Sequence, residues 1–565
     1  MSGDDDRQSG IKGFSVGFGP AAAEAPRALS PAPPYRLLIA GDFGMAEEGR
    51  RLGLPGDLAE LIGEARPAVE VSAQNLLGSF PVTLSETVSL GSLADLKPPS
   101  IARKLRAVSE GADLMAGNAT TASVYDDRRY DRLTALASRQ ETSVTDGTQS
   151  DDAGGDGGFA SFLRMNDATA NKRPRQDASP ADLVASFIDE NVAPARVASK
   201  STAGRSAAAE LLDAQAFAFL SHPRLSQVLE NWHALRLLVE LKGAARGIEI
   251  TLLQVSVEAG AAAMRELLAG ADGALHEELF DLVLLSNRCT ARQGGADLLR
   301  SLAEAAEAFD LAALTTLTPD FADVPVDDLA TMDAPHQALE SAGFEAFNAL
   351  RTASAARHLG VFWNDVLAIE ASPCNPELYA PAAWAAAIAA LRAVAATGWP
   401  SVRGGQDALS GFAVAERTFR GRQVAIATRT VAGEECVGGL ASVGIGVLNG
   451  RLDRDSVHIA RAPSFSASRA DGGGTTRLDD RLVLSRIGQL LQATVPDVLA
   501  SDGAPAEKAA ALEERLAEFA QSMPQAPRFD VAATSGDDGA PLLSIAVGLP
   551  EGVASRRRFD FDIPV

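Results

Sequence analysis

Aromatic residues and cysteines are scarce in this sequence. Phe, Trp and Tyr make up 5% of its 565 residues, and three cysteines occur, Cys289, Cys374 and Cys436. Because these cysteines lie far apart and form no CxxC pair, they predict neither a disulfide framework nor a structural zinc site. Such cysteine usage is typical of a protein in a reducing cytosol.

Long apolar runs and an excess of basic residues are also missing. No run of about 18 apolar residues occurs, and the first ten residues lack the basic and apolar parts of a signal peptide, so we expect neither membrane insertion nor export. The 74 acidic and 51 basic residues give a net charge of −23. This charge repels phosphate backbones and excludes nucleic acid as the main partner. We therefore expect a cytoplasmic protein.

The residue patterns of common catalytic sites are absent as well. The six histidines are scattered, with no HExxH pattern and none beside a cysteine pair. The sequence has no GxGxxG after a strand and no GxxxxGK[ST]. We therefore predict no catalytic residue, no metal and no cofactor, and expect a protein that is not an enzyme.

One segment, Leu37–Gly44 (LLIAGDFG), keeps an enzymatic alternative open. A strand that ends in Gly41-Asp42 can present a carboxylate to a metal, as in metal-dependent phosphoesterases. That chemistry also needs histidine ligands, and the first histidine of the chain is His222. The other interpretation is a Gly-Asp turn that caps the following segment.

The apolar spacing predicts an α/β fold, with a layered and mostly parallel sheet covered by helices. Tyr35–Ala40 resembles the continuous apolar runs of strands that are buried on both faces. A long helical stretch, Ala207–Lys242, leads into a strand at Gly247–Val257. Helices and strands then alternate up to Leu317, which indicates parallel strands joined by crossover helices. Nearer the C terminus we predict strands at Arg422–Val431, Leu440–Asn449, Arg528–Thr534, Pro541–Leu549 and Arg557–Val565 and helices at Asp479–Ala493 and Ala506–Ser522.

Both ends of the chain carry a short strand pattern in which apolar residues alternate with other residues. Such strands are too short to be stable alone and need a partner strand. The apolar residues are Phe14, Val16 and Phe18 in the first strand and Phe559, Phe561 and Ile563 in the second. We predict that both strands are donated to neighbouring copies; the alternative is pairing within one chain.

The first part of the chain resembles a known family. Tyr35–Gly44 is an apolar strand followed by Gly41-Asp42-Phe43, and Val69–Gly78 (VEVSAQNLLG) reads as the next strand. This order is similar to the opening of the small subunit of the type VI secretion contractile sheath. The similarity extends over about residues 35 to 119.

A longer resemblance, to the large subunit of the same sheath, follows in the second part. Leu220–Glu240 contains the pattern His-Pro, Leu-Glu and then Trp232. Phe344–Trp363 resembles a second signature of that subunit, with Arg351 and Arg357 in register, and a later helix carries Arg486 at the matching place. The chain departs from the family at Ser286–Cys289, where an acidic-aromatic turn is usual, and after Trp363, where a stretch rich in Pro and Arg is usual.

The resemblance implies a small and a large sheath subunit fused into one chain. We predict an N-terminal arm with an exchanged strand at 1–34, a small-subunit-like domain at 35–119, a flexible linker at 120–178 and a large-subunit-like region at 179–565. The linker prediction depends on the polar, Gly-rich composition of Thr145–Gly158.

The family resemblance also implies the partners. Protomers would assemble with copies of themselves, as six-membered rings in a helical tube around an inner tube protein, on a baseplate, in the cytoplasm of a bacterium. Contraction would drive the inner tube outward. A ClpV-type AAA+ unfoldase would grip a helix that contains Leu183, Phe187 and Ile188, for which ordinary packing is the alternative. The alternative is that the chain forms the sheath of a related phage-like contractile injection system, which has a similar design.

Overall fold

The computed structural model describes residues 33–116, 128–138, 201–244, 247–402, 409–419, 421–467, 477–536, 539–554 and 558–565. These residues form two compact units. The first contains residues 33–72, 85–105 and the described residues from 217 to 565, and the second contains 73–84 and the described residues between 106 and 216. No helix in this part of the chain is both long and apolar enough to cross a membrane.

A sheet of nine strands forms the centre of the first unit. In sheet order the strands are β11 (Leu409–Ser410), β15 (Ser456–Arg461), β14 (Ile445–Gly450), β8 (Leu359–Trp363), β7 (Ala312–Leu317), β6 (Leu282–Cys289), β1 (Tyr35–Gly41), β5 (Ile248–Gln254) and β2 (Arg51–Gly53). The six strands from β14 to β5 run parallel to one another. The predicted α/β class with a mostly parallel sheet is therefore confirmed.

The inner strands are buried on both faces, as their apolar runs require. All six residues of β7 are buried, and so are six of the seven residues of β1. The two edges are different, because β2 and β11 are only three and two residues long and pair antiparallel to their neighbours. Short edge strands offer few unpaired backbone groups, so this sheet has little capacity to grow by adding another strand.

Helices cover both faces of the sheet. The first unit contains α1 (Leu58–Ala65), α2 (Pro98–Lys104), α6 (Pro223–Ala244), α7 (Ala261–Ala269), α8 (Ala274–Glu277), α9 (Gln293–Ala308), α10 (Val326–Thr331), α11 (Glu345–Arg351), α12 (Ala382–Thr397), α13 (Glu434–Ser442), α14 (Leu478–Leu499) and α15 (Pro505–Gln521). On one face, α7, α9, α11 and α13 form a continuous core with alternate strand residues such as Leu38, Val283 and Val361. On the other face α12 packs against β6, β7 and β8 through its buried first ten residues.

Strand β1 joins the early part of the chain to the later part. It pairs along all seven residues with β5, from Tyr35 opposite Ile248, and on its other side with β6, from Leu37 opposite Leu282. The range 35–119, predicted as a domain of its own, thus contributes a central strand to the sheet of the range 179–565. Both ranges therefore contribute strands to one sheet, because β1 has a partner strand from the later range on each side.

A second, smaller sheet closes the C-terminal part of the first unit. Its antiparallel strands are β16 (Arg528–Ser535), β17 (Pro541–Gly548) and β18 (Arg558–Pro564). Phe559, Phe561 and Ile563 are buried in a core that also contains residues of α15 and of α14 from Val483 onward. The predicted alternation of this strand is confirmed. In this single chain, β18 pairs with β17 of the same chain.

The other elements are short hairpins and the helices of the second unit. Hairpins form from β3 (Ala68–Gln74) with β4 (Thr83–Ser89), β9 (Val366–Ile369) with β10 (Leu378–Ala380), and β12 (Ala415–Phe419) with β13 (Arg422–Ile426). Besides residues 73–84, the second unit contains α3 (Arg106–Met115), α4 (Asp131–Ser138) and most of α5 (Ser201–Leu220). The predicted helical stretch Ala207–Lys242 consists of two helices, α5 and α6. The stretch is interrupted at Ser221 and His222, because the residue before Pro223 disfavours the helical conformation.

Replacing Gly41 with alanine tests the close packing at the end of β1. A Cβ atom at residue 41 would lie 2.8 Å from the Cβ atom of Ser286. We expect Gly41→Ala to lower the free energy of unfolding by about 1–3 kcal/mol, measured as a lower midpoint of thermal unfolding. Gly53→Ala is the control, because no atom lies within 4 Å of its added Cβ. Equal losses in both variants would contradict the packing argument.

Candidate functional site

The turn after β1 is built around the buried carboxylate of Asp42. Its Oδ1 accepts hydrogen bonds from Gly44 N at 2.9 Å and from Gln254 Nε2 at 3.0 Å, and its Oδ2 accepts one from Arg224 Nε at 2.9 Å. The side chain of Asp42 is fully buried. Gln254 also binds the turn itself, because its Oε1 accepts from Phe43 N at 2.9 Å. Both oxygens of the carboxylate are thus engaged in shaping the turn.

Helix α6, from the later part of the chain, contacts the same turn. Trp232 Nε1 donates to the carbonyl oxygen of Phe43 at 3.0 Å, and Asn231 Nδ2 donates to that of Asp42 at 2.8 Å. The rings of Phe43 and Trp232 meet edge to face, with centroids 6.4 Å apart. Two motifs that lie 189 residues apart in sequence are therefore in direct contact.

A charged network lies next to this turn at the carboxyl ends of the strands. The guanidinium of Arg288, at the end of β6, donates to Glu230 at 2.8 Å and to Asp365 at 2.9 Å. Glu230 Oε1 also accepts from Tyr379 N at 3.0 Å. Burial lowers the pKa of Arg288, but the carboxylates of Asp365 and Glu230 offset this effect, and the pKa is raised. In open parallel sheets this edge commonly binds ligands, whereas here ion pairs fill it.

The amino ends of the strands are held by arginines of α14. Arg486 donates to Asp281 at 3.1 Å and to the carbonyl oxygen of Pro33 at 2.8 Å. Asp281 in turn accepts from Arg36 N at 2.7 Å, at the start of β1. Burial raises the pKa of Asp281, and the charge of Arg486 opposes that shift. Arg486 therefore anchors the residues that lead into β1 and the residue that precedes β6.

A neutral histidine lies beside these arginines. His358 Nδ1 lies 2.9 Å from the carbonyl oxygen of Leu311 and must carry the proton, while its Nε2 accepts from Arg357 Nε at 3.3 Å. Burial, together with the charges of Arg481 and Arg357, lowers the pKa of His358 to about 3. Protonation of Nε2 would remove an acceptor and place a third positive charge in this cluster.

The described residues offer little for a metal or for a nucleophile. No group of three or more His, Cys, Asp and Glu side chains in this part of the chain could hold a metal ion. Burial raises the pKa of Cys289 and of Cys436 to about 12, so neither thiol ionises near neutral pH. The phosphoesterase alternative gains no support, because Asp42 is turned into hydrogen bonds with its own protein.

The structure brings only some of the predicted site residues together. Gly41, Asp42, Phe43 and Trp232 form one contact, and Arg486 lies at the opposite end of β1. Arg351 lies near the carbonyl oxygen of Ser442, whereas Arg357 donates to His358 in the cluster beside the arginines of α14, with its Nη2 3.7 Å from Glu307. Two sets of predicted residues lie outside the described residues: Phe14, Val16 and Phe18, and Leu183, Phe187 and Ile188.

Sequence reasoning missed the polar residues that complete these contacts. Arg288 belongs to the segment Ser286–Cys289, which was named only as a departure from the family pattern, and Asp281 directly precedes β6. A charged residue directly at the end of an apolar run is the signal that could have identified both of them. Their partners lie between 58 and 245 residues away, so no local pattern could have paired them. No family model and no curated protein matches this chain.

Replacing Trp232 with phenylalanine tests the contact between the two motifs. The variant keeps an aromatic ring but leaves the buried carbonyl of Phe43 without its donor, at a cost of about 1–3 kcal/mol. We expect the amides of residues 43–45 to exchange hydrogen faster. Trp399→Phe is the control, because it removes a similar hydrogen bond, to Gln525 O, elsewhere in the unit. Equal acceleration at residues 43–45 in both variants would contradict a local role of Trp232.

The buried neutral His358 predicts that stability falls in acid. An unfolded histidine has a pKa of about 6.5, which is above the pKa of His358 in the folded protein. At pH values between these two pKa values, this histidine is therefore protonated in the unfolded state and neutral in the folded state. Stability from this group is complete above pH about 6.5 and is lost progressively as the pH falls toward about 3. We expect His358→Gln to have a smaller loss of thermal stability than the parent between pH 7 and pH 5, and the exposed His276→Gln to resemble the parent. Equal losses in all three proteins would contradict this assignment.

Proposed function

We propose that this chain is a structural protomer of a contractile sheath of the type VI secretion kind, in which small and large subunits are fused. The observation that carries the proposal is the contact between Trp232 and the Gly41-Asp42-Phe43 turn. Each of these motifs is the place where one part of the chain resembles one sheath subunit. In a fused protomer such residues are expected to bind each other, whereas in an enzyme they would face a substrate.

The chemistry of the sheet ends supports a structural role. Asp42, Arg288 and Arg486 are each engaged by neighbouring groups of the protein. Buried ion pairs of this kind stabilise little in total, but they penalise any other arrangement of the elements they join. A protomer that must pass force from one neighbour to the next needs such a defined body.

Assembly would depend on strands and on the fusion itself. Strands β16 and β18 each have one edge without a strand partner among the described residues. A strand from a neighbouring copy could add there, and residues Phe14, Val16 and Phe18 have the required pattern. The fusion keeps the two parts at a ratio of one to one and at roughly millimolar effective concentration. Copies of the chain, an inner tube protein and a baseplate are the proposed partners in a bacterial cytoplasm.

Electron microscopy of the purified chain tests this function. We expect hollow tubes built from the chain alone, and no tubes from a variant that carries Phe14→Asp, Val16→Asp and Phe18→Asp. A matched control, Lys12→Gln with Ser15→Gln, changes the same segment without its apolar residues and should still form tubes. Only monodisperse globules from the parent would contradict a sheath. Tubes from the triple variant would contradict strand donation and leave the sheath proposal standing.

A further inference from the structure

The tip of the hairpin formed by β3 and β4 exposes an apolar surface. Phe80 is 53% exposed and Val82 is 68% exposed, and these are the two most exposed large apolar side chains among the described residues. They flank Pro81 and belong to the second unit, with residues 73–84. Apolar side chains in one continuous exposed segment, in contrast to scattered ones, indicate that something covers them.

The backbone of this tip is held in place, so the exposed side chains are presented in a fixed position. The carbonyl oxygen of Arg128 accepts from Ser79 N at 2.9 Å and from Phe80 N at 3.2 Å. Asn75 Oδ1 accepts from Leu77 N at 3.0 Å and from Gly78 N at 3.1 Å. A fixed surface loses little conformational entropy when a partner binds to it.

We propose that residues 179–192 of the same chain dock on this tip through the apolar residues Leu183, Val184, Phe187 and Ile188. These residues recur at the spacing of one helical face and need an apolar surface to cover them. In sequence this segment lies between α4 and α5, which belong to the same compact unit as the tip. The tip therefore offers such a surface within that unit. The inference is independent of the proposed sheath function.

The length of the connecting chain allows this docking. Gln215 on α5 binds the base of the hairpin, because its Oε1 accepts from Leu76 N at 2.7 Å. From Ser201 to Gln215 the helix rises about 21 Å, and from Leu76 to Phe80 an extended chain adds about 13 Å. The 13 peptide steps from Ile188 to Ser201 reach about 43 Å when extended, which exceeds the sum of these distances. A tether of this length also gives a high effective concentration.

Another apolar stretch, Phe159–Met165, is a competing occupant within the same chain. It is separated from Ser201 by 35 residues and from Ser138 by 20, whereas residues 179–192 are separated from Ser201 by 8. The shorter of its two tethers is therefore longer than the shorter tether of residues 179–192, and its effective concentration at the tip is lower. A second copy of the chain is the other competitor. The experiment must therefore identify the occupant as well as detect it.

Photo-crosslinking of the full chain identifies the occupant. A benzophenone amino acid replaces Val82, and the protein is irradiated at concentrations where it sediments as a monomer. We expect crosslinks within one chain to residues 179–192, with a yield that does not depend on protein concentration. Leu452, which is 44% exposed, is the control position and should give no such crosslink. Products of dimer mass, crosslinks to Phe159–Met165, or no crosslink at all would each overturn the proposal.

Hydrogen exchange gives an independent readout. In the parent we expect the amides of residues 179–192 to exchange about tenfold more slowly than in the same free peptide, because docking protects them. Phe80→Ser with Val82→Ser should remove this protection, while Leu452→Ser should keep it. Because both substituted residues are exposed, the double variant is expected to stay folded. Absent protection in the parent, or protection that survives the double variant, would contradict docking on the tip.

Discussion

The position of β1 between β5 and β6 is the constraint on which the rest of the structure depends. A strand from the beginning of the chain forms backbone hydrogen bonds on both sides with strands that follow more than 200 residues later. Its two ends are then closed by side chains from the same later part, Trp232 and Asn231 at one end and Arg486 at the other. The early segment therefore has no complete core of its own, and the two parts of the chain form one sheet.

The buried charges define this arrangement more than they stabilise it. Removing two charges from water costs about as much as their attraction returns, but removing one partner leaves a buried charge unpaired. Asp42, Arg288 and Arg486 each bind at least two segments that are distant in sequence, so a shift of one segment would break several bonds at once. Because these bonds would break together, the polar side chains fix the positions of the strands and helices relative to one another as a set. A protein that transmits force between neighbours benefits from such a body.

Local patterns predicted the elements well and their partners poorly. The apolar runs of β1 and β7, and the alternation of Phe559, Phe561 and Ile563, report burial directly and predicted the right strands. The place of β1 in the sheet depends on pairing over long sequence distances, which periodicity does not contain. The break between α5 and α6 had a local signal, Pro223, which disfavours a helical conformation of the residue before it. The strong helical spacing on either side outweighed that signal in the prediction. Among the site residues, Trp232 and Asp42 were found through resemblance, whereas Gln254, the last residue of β5, and Asp365, two residues after β8, had no local signal of their partners.

Cutting the chain tests the central claim, that its two parts complete one shared sheet. Residues 1–150 and 151–565 would be produced as separate polypeptides, with the cut inside the polar segment 145–158. The account predicts that the two polypeptides copurify at a ratio of one to one and unfold with a single thermal transition, and that Gly41→Ala in the first weakens their association while Gly53→Ala does not. Two polypeptides that are each folded alone and do not bind each other would contradict it.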